Sequence, residues 1–422
     1  MVRLAILLVL LCLAVWEWRG GVRKAPYWLA LLGLFVIFSL RYGQGTDYLT
    51  YLSIYANVPP LQTLPNYAAF LYNKVEPGFF YLMSLFRMFG LHYAVFVAAA
   101  TLFSLLCVHR FIQRFAPLPM LGLLVFYAVY SLVYMESAIR QMLALAIALG
   151  FIFPLWANGR RFPAMILMAV GTMFHMATVV LFLLPVLFWQ PRRLYLIEWK
   201  RKTLLLALAG LAAATVIINF IDLTPVIRLM PALIEYTILE YYVQSGMPSL
   251  LALGNRTLFM AIVLGLAWRA RARLTAEQRW LVNLYCVGYG LYLLFMSFDL
   301  IASRTGVYFR ILDVALLPLL LHMNRDLVKR SLVAMPVLLM LLSFLYVKDI
   351  AAVMDYAGYY SSNPVQYPYI TVFNPDALLD NKFVNVKNAN AMNAYQTGGF
   401  SWNEYYGGLM RKPSVRSPIL PY

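Results

Sequence analysis

Apolar runs that recur along most of the chain, separated by short basic segments, restrict the fold more than any single motif. They are Leu4–Val15, Tyr27–Leu40, Phe79–Phe89, Ala94–Val108, Leu121–Tyr134, Met142–Trp156, Phe162–Trp189, Leu204–Ile221, Leu250–Trp268, Leu281–Phe298, Val307–Leu321 and Leu332–Val347. Lipid offers the backbone no hydrogen-bond partner, so such runs close their N–H and C=O groups within helices. Composition agrees: 63% of residues are hydrophobic, only 12% are charged, and mean hydropathy is +0.73. The chain is read as an all-α polytopic integral membrane protein of about ten to thirteen helical segments, with no separate soluble catalytic domain. Residues 1–348 form the multi-helix transmembrane domain, and residues 349–422 an extracytoplasmic tail rich in aromatic residues and Asn.

The net charge of +17 belongs to loops, not to a surface for nucleic acid. Arg19–Lys24, His109–Arg114, Asn158–Arg161, Gln190–Lys202, Arg269–Arg279 and Asn324–Arg330 are placed in the cytoplasm by the positive-inside rule. Two stretches break the alternation. Phe79–Phe89 and Ala94–Val108 must together make an odd number of crossings, so the shorter, within residues 76–90, is expected to be re-entrant or interfacial. Phe162–Trp189 is flanked by basic loops and needs an even number, which suits two half-length helices meeting at Phe174-His175. Irregular backbone at membrane depth is tolerated where protein buries it or it lines a cavity, so this break is a place for a site. The N-terminal run lacks a small-residue cleavage site and reads as an uncleaved helix. Cys12, Cys107 and Cys286 lie in apolar runs as small buried residues, and His92, His109, His175 and His322 have no metal-ligand spacing.

Charge within the apolar region is the functional signal. Glu136-Ser137-Ala138-Ile139-Arg140-Gln141 lies between two long apolar runs. Arg at the centre of a membrane helix costs roughly 2.5–3.5 kcal/mol on insertion scales, so such charges face a partner or a cavity. Glu136 and Arg140 are four apart and would share a helical face, as a salt bridge or as part of an anion pocket. Sorting charges by side puts Arg41, Asp47, Lys74, Glu76, Glu136, Arg140, Asp222, Arg228, Glu235, Glu240, Arg256, Asp299, Arg304 and Arg310 at the outer boundary, where the positive-inside rule predicts few cations. Each Arg alone could snorkel to headgroups. Several converging on one cavity would suit a lipid pyrophosphate, because the guanidinium fork binds phosphate bidentately and stays charged. Arg304 and Arg310 are six apart and do not share a face.

Arg41 with Asp47-Tyr48-X-X-Tyr51, then Glu76-Pro77-Gly78-Phe79, Ile139-Arg140-Gln141 followed by Ala144, Phe174-His175, and Ser303-Arg304 with Tyr308-Phe309, occur in that order between about Leu31 and Tyr369. Together they resemble the EpsG family of polysaccharide polymerases, related to Wzy-type O-antigen polymerases. The tail beyond Tyr367-Pro368-Tyr369 departs from the pattern. The resemblance implies a GT-C-like membrane fold in the bacterial cytoplasmic (inner) membrane, with the site facing the periplasm or exterior. It implies glycosyl transfer from undecaprenyl pyrophosphate to a sugar hydroxyl of another lipid-linked repeat unit, in exopolysaccharide, capsule or O-antigen biosynthesis. Neither a metal nor another cofactor is expected, and the chain has no DxD triplet and no Gly-rich phosphate loop. Partners expected from the resemblance are membrane lipid, lipid-linked glycans, a chain-length regulator and a flippase of the same pathway.

Stabilising a pyrophosphate leaving group requires preorganised cations; Arg41, Arg140, Arg256 and Arg304, with Arg310, are the candidates, joined as substrate contacts by Tyr48, Glu76 and Gln141. Candidates for the proton-transfer chemistry are His175 and Asp47, with Glu76 and Glu136 behind them, and Glu136 is also expected to orient Arg140. Two other classes use similar features. A lipid-linked oligosaccharide flippase predicts internal pseudo-symmetry, and no repeat is visible. A membrane acyltransferase predicts a His open to the cytoplasm, whereas His175 lies away from the basic loops. An O-antigen ligase differs only in its acceptor.

Overall fold

A computed structural model describes residues 1–20, 24–63, 75–189, 210, 213–215, 249–330, 334–356 and 363–375. Among these residues the fold is helical, with one isolated antiparallel bridge between Arg41 and Thr371. The helices are α1 (Val2–Gly20), α2 (Lys24–Leu40), α3 (Tyr48–Asn57), α4 (Pro77–Met88) and α5 (Tyr93–Phe115). Next come α6 (Pro119–Ser137) and α7 (Ile139–Ala157), then α8 (Arg161–Phe174) and α9 (Leu183–Phe188). The rest are α10 (Leu250–Ala270), α11 (Ala276–Leu294), α12 (Asp299–Arg310), α13 (Asp313–Met323) and α14 (Ala334–Tyr356). Among the described residues, α5, α6, α7, α10 and α14 are long and apolar enough to cross a membrane, and α12 with α13 forms a further span bent by 46°. The chain is an all-α, multi-pass membrane protein. The expected span Leu204–Ile221 apart from residues 210 and 213–215, the loop Gln190–Lys202, Arg228 and the tail beyond residue 375 lie outside the described residues.

Helix α6 is the axis of the bundle. Its stretch Pro119–Tyr130 is apolar on every face and every residue in it is buried, the pattern of a helix enclosed on all sides. It packs against α1, α13 and α14. At Gly122 the absent side chain lets α13 approach: a Cβ there would stand 2.8 Å from the Val314 carbonyl.

Contacts sort the molecule into two ends. At the basic end, the buried Glu17 carboxylate accepts the N–H groups of Met120 and Leu121, both at 3.0 Å, and so caps α6. Arg325 donates to the Trp18 carbonyl at 2.8 Å, and Arg114 to Asn158 at 2.8 Å and Glu277 at 2.6 Å. The opposite end carries Arg3, Arg41, Glu76, Glu136 and Arg140. α8 rises from the basic end and stops at His175, which takes extended backbone angles (φ −157°, ψ 120°). A 3₁₀ turn, Met176–Phe182, and α9 lead back until Trp189 lies under the Arg161 guanidinium, 5.0 Å from the ring centroid. α8 and its return thus form a hairpin with His175 at its tip. α4, roughly 18 Å long at 1.5 Å per residue, is too short to cross alone, and it lies beside α3 and α8. The run Val307–Leu321, read from sequence as one straight span, is instead split between Arg310 and Asp313.

Candidate functional site

Three charged groups occupy the end opposite the basic loops. The first is a closed strut. Arg3 donates from Nε to Glu136 Oε1 at 3.0 Å and from Nη2 to Oε2 at 2.9 Å, a bidentate pair almost wholly out of solvent. Arg3 also donates to Gln44 Oε1 at 2.6 Å and to the Pro368 carbonyl at 2.7 Å, and its guanidinium lies 4.4 Å from the Tyr367 ring centroid. Gln44 Nε2 donates to the same Pro368 carbonyl at 2.7 Å. Arg41, 1% exposed, donates to the carbonyls of Phe38, Met135 and Glu136. Gly45 closes the strut: it has φ +91°, and a Cβ there would lie 2.2 Å from the Glu136 carbonyl oxygen. Gly45→Ala should therefore destabilise the solubilised protein by about 1–3 kcal/mol. Gly33→Ala, where nothing lies within 4 Å, should be neutral or slightly stabilising. Thermal unfolding in detergent distinguishes the two.

The strut corrects one expectation. Glu136 and Arg140 do not pair. α6 ends in a π-helical stretch, Ser131–Ser137, and Ala138 leaves the helix (φ −91°, ψ 63°) before α7 begins, so the two residues no longer share a face. Glu136, expected to orient Arg140 and take part in the chemistry, holds Arg3 with both oxygens. Arg41, expected at the pyrophosphate, has its guanidinium engaged by backbone carbonyls, with Tyr48 5.8 Å away across its ring.

The second group is partly open. Arg140 pairs with Glu76 through Nη1 and donates from Nε to the Tyr51 hydroxyl at 3.1 Å. Glu76 precedes Pro77 at the start of α4. Gly78 then lets α4 meet the hairpin, since a Cβ there would lie 2.8 Å from the Met173 carbonyl. Burial opposes ionisation of Glu76, but the Arg140 guanidinium, His175 and backbone N–H groups outweigh it and hold the carboxyl below its usual range. His175 Nδ1 accepts the Ala177 N–H at 3.3 Å, which leaves the ring proton of the neutral form on Nε2. Thr178 ties the tip down by donating to the His175 carbonyl at 2.7 Å, and its hydroxyl lies 2.7 Å from that of Tyr308. Asp47, at the start of α3, accepts from the Thr46 hydroxyl at 3.3 Å and interacts electrostatically with Tyr51 and Arg140.

The third group is a cleft between α10, α11 and α12, lined by Arg256, Tyr285, Gly288, Tyr289, Tyr292, Gly306 and Arg310. Arg256 lies over Tyr292, 3.7 Å from the ring centroid. Arg310 Nε and the Tyr292 hydroxyl are buried without a hydrogen-bond partner. Among the described residues the lining carries two cations and no carboxylate, while Asp299 interacts electrostatically with Arg256 and Asp313 with Arg310. Gln141 donates to the Arg304 carbonyl at 2.9 Å and joins α7 to α12. Arg304 interacts with His175 on one side and with Tyr134 on the other, and Tyr134 also interacts with Arg256 and Arg310. The second and third groups are thus neighbours bridged by Arg304.

Sequence reasoning passed over Arg3, Gln44, Tyr292 and Asp313. Asp313 had a usable signal, a lone carboxylate inside an apolar run; Arg3 and Gln44 had none, because their partners are remote in sequence.

No curated protein and no solved structure matches the chain. The model of the EpsG family matches residues 24–362, a span that includes the Arg140–Glu76 pair, His175 and both arginines of the cleft. With most of its length matched, the chain belongs to the EpsG family.

Proposed function

We propose that the chain polymerises undecaprenyl-pyrophosphate-linked oligosaccharide repeat units on the outer face of the bacterial cytoplasmic membrane. Family membership gives the coarser statement, a polysaccharide polymerase of exopolysaccharide biosynthesis. What supports the finer reading is the cleft whose lining, among the described residues, carries Arg256 and Arg310 and no carboxylate. It holds the pyrophosphate, where two guanidinium forks stabilise the charge that grows on the leaving group. Arg140 is the weaker choice for that task, because Glu76 neutralises it.

The acceptor hydroxyl oxygen bonds to the anomeric carbon of the donor sugar as the bond from that carbon to the pyrophosphate oxygen breaks. The acceptor proton passes to a carboxylate, and lipid pyrophosphate leaves. Glu76 and Asp47, which both interact electrostatically with Arg140, are the carboxylates assigned to the acceptor side. His175 presents Nε2–H there as a donor. Glu136 is assigned no step, since both its oxygens are taken by Arg3.

Purified protein reconstituted with synthetic undecaprenyl-pyrophosphate repeat units should give a ladder of products and release lipid pyrophosphate. Tight binding of the repeat unit with no extension over a range of acceptors would defeat the reading.

A further inference from the structure

The bend between α12 and α13 holds a carboxylate that the proposed chemistry does not use. Asp313 is fully buried, and its Oδ1 accepts the Tyr130 hydroxyl at 2.8 Å. The same hydroxyl lies 3.0 Å from the Arg310 carbonyl oxygen, so its single proton is shared between the two acceptors. Tyr130 is the last α-helical residue before α6 turns π-helical. One phenol on the bundle axis therefore grips both sides of the 46° bend. Arg310 is the residue at that bend whose side chain lines the cleft. Its guanidinium lies 5.9 Å from the Tyr130 ring centroid, and its Nε has no partner. The guanidinium interacts electrostatically with Tyr130, Asp313, Tyr285 and Tyr134, but its Nε forms no hydrogen bond, whereas the backbone that carries it is held by the Tyr130 hydroxyl.

We infer that Asp313 is a positioning residue: through Tyr130 it fixes the bend that aims Arg310 into the cleft. Two neighbouring contacts make the bend a defined geometry. Gly122 admits the Val314 carbonyl against α6, and Gly288 of α11 seats Phe309, whose Cβ would stand 2.2 Å from a Cβ at that glycine. Oδ2 of Asp313 has no hydrogen-bond partner, so Tyr130 gives the carboxylate its side-chain hydrogen bond, beside the Val314 backbone N–H and the electrostatic attraction of Arg310. Burying a carboxylate is costly, and one held this way serves the group it orients. The inference rests on the reading of the cleft as a pyrophosphate site.

The test is a double-mutant cycle on the purified full chain, read as binding of farnesyl diphosphate, a short soluble polyprenyl pyrophosphate. Asp313→Ala should weaken binding about tenfold when Arg310 is present, and less than about twofold in an Arg310→Ala background. Asp313→Asn keeps an oxygen for the Tyr130 hydroxyl and should stay within about threefold of wild type; Tyr130→Phe should lose affinity in the same direction as Asp313→Ala. If Asp313→Ala does not fold, Tyr130→Phe with and without Arg310 completes the cycle. An equal loss in both backgrounds marks a merely structural role and overturns the inference. So does full affinity in Asp313→Ala or Tyr130→Phe, or a loss in Asp313→Asn as large as in Asp313→Ala. If wild type does not bind the probe, or Arg310→Ala binds it as tightly, the reading of the cleft fails first and is recognised as that failure.

Discussion

Arg310→Ala should lower kcat/KM for the lipid-linked donor by about 10²–10³-fold, the loss typical when a preorganised donor to a developing anion is removed. Arg256→Ala should fall in the same range, because the two guanidinium groups line one cleft. Arg310→Lys should recover little. An ammonium supplies charge but not the planar fork that binds two phosphate oxygens together. Expression and thermal stability should hold in both alanine variants: Arg310 has an unpartnered Nε, and Arg256 stacks on Tyr292 in the lining of the cleft. Turnover of radiolabelled donor in proteoliposomes measures the effect. Alanine variants within threefold of wild type would remove the cleft from the chemistry and return attention to Arg140.

That division between Arg310 and Arg140 could not be read from the sequence, although most of the fold could. Runs such as Leu250–Trp268 became helices with nearly the same bounds, since a bilayer-length apolar segment has one low-energy solution. The break at His175 was legible too, because basic residues at both ends of Phe162–Trp189 demand a return. Pairing was not legible. The spacing of Glu136 and Arg140 fits a helical face only if the helix is continuous, and the π-helical end of α6 makes it discontinuous. Nothing local reports that Glu136 meets a residue 133 positions earlier. The outer arginines looked alike in sequence. Their differences lie in which carboxylate or carbonyl each meets, and those partners come from other helices.

The strut supplies the sharpest stability effect. Glu136→Ala should destabilise the protein by about 3–5 kcal/mol, because it leaves Arg3 buried and uncompensated. On a chain with marginal net stability that is enough to deplete the folded population. Arg3→Met combined with Glu136→Met should recover most of the loss, since removing both charges also removes the cost of burying them. The recovery should be incomplete: Gln44 and the Pro368 carbonyl lose the donors that Arg3 offered. The measurement is the monodisperse fraction and unfolding temperature of detergent-solubilised protein, with turnover assayed on whatever remains folded. A structural strut predicts that folded double variant still polymerises, because neither side chain touches the cleft or the Arg140–Glu76 pair. If instead Glu136→Gln folds as well as wild type and fails to turn over, the carboxylate itself serves the reaction. The boundary between strut and site would then have to move to include it.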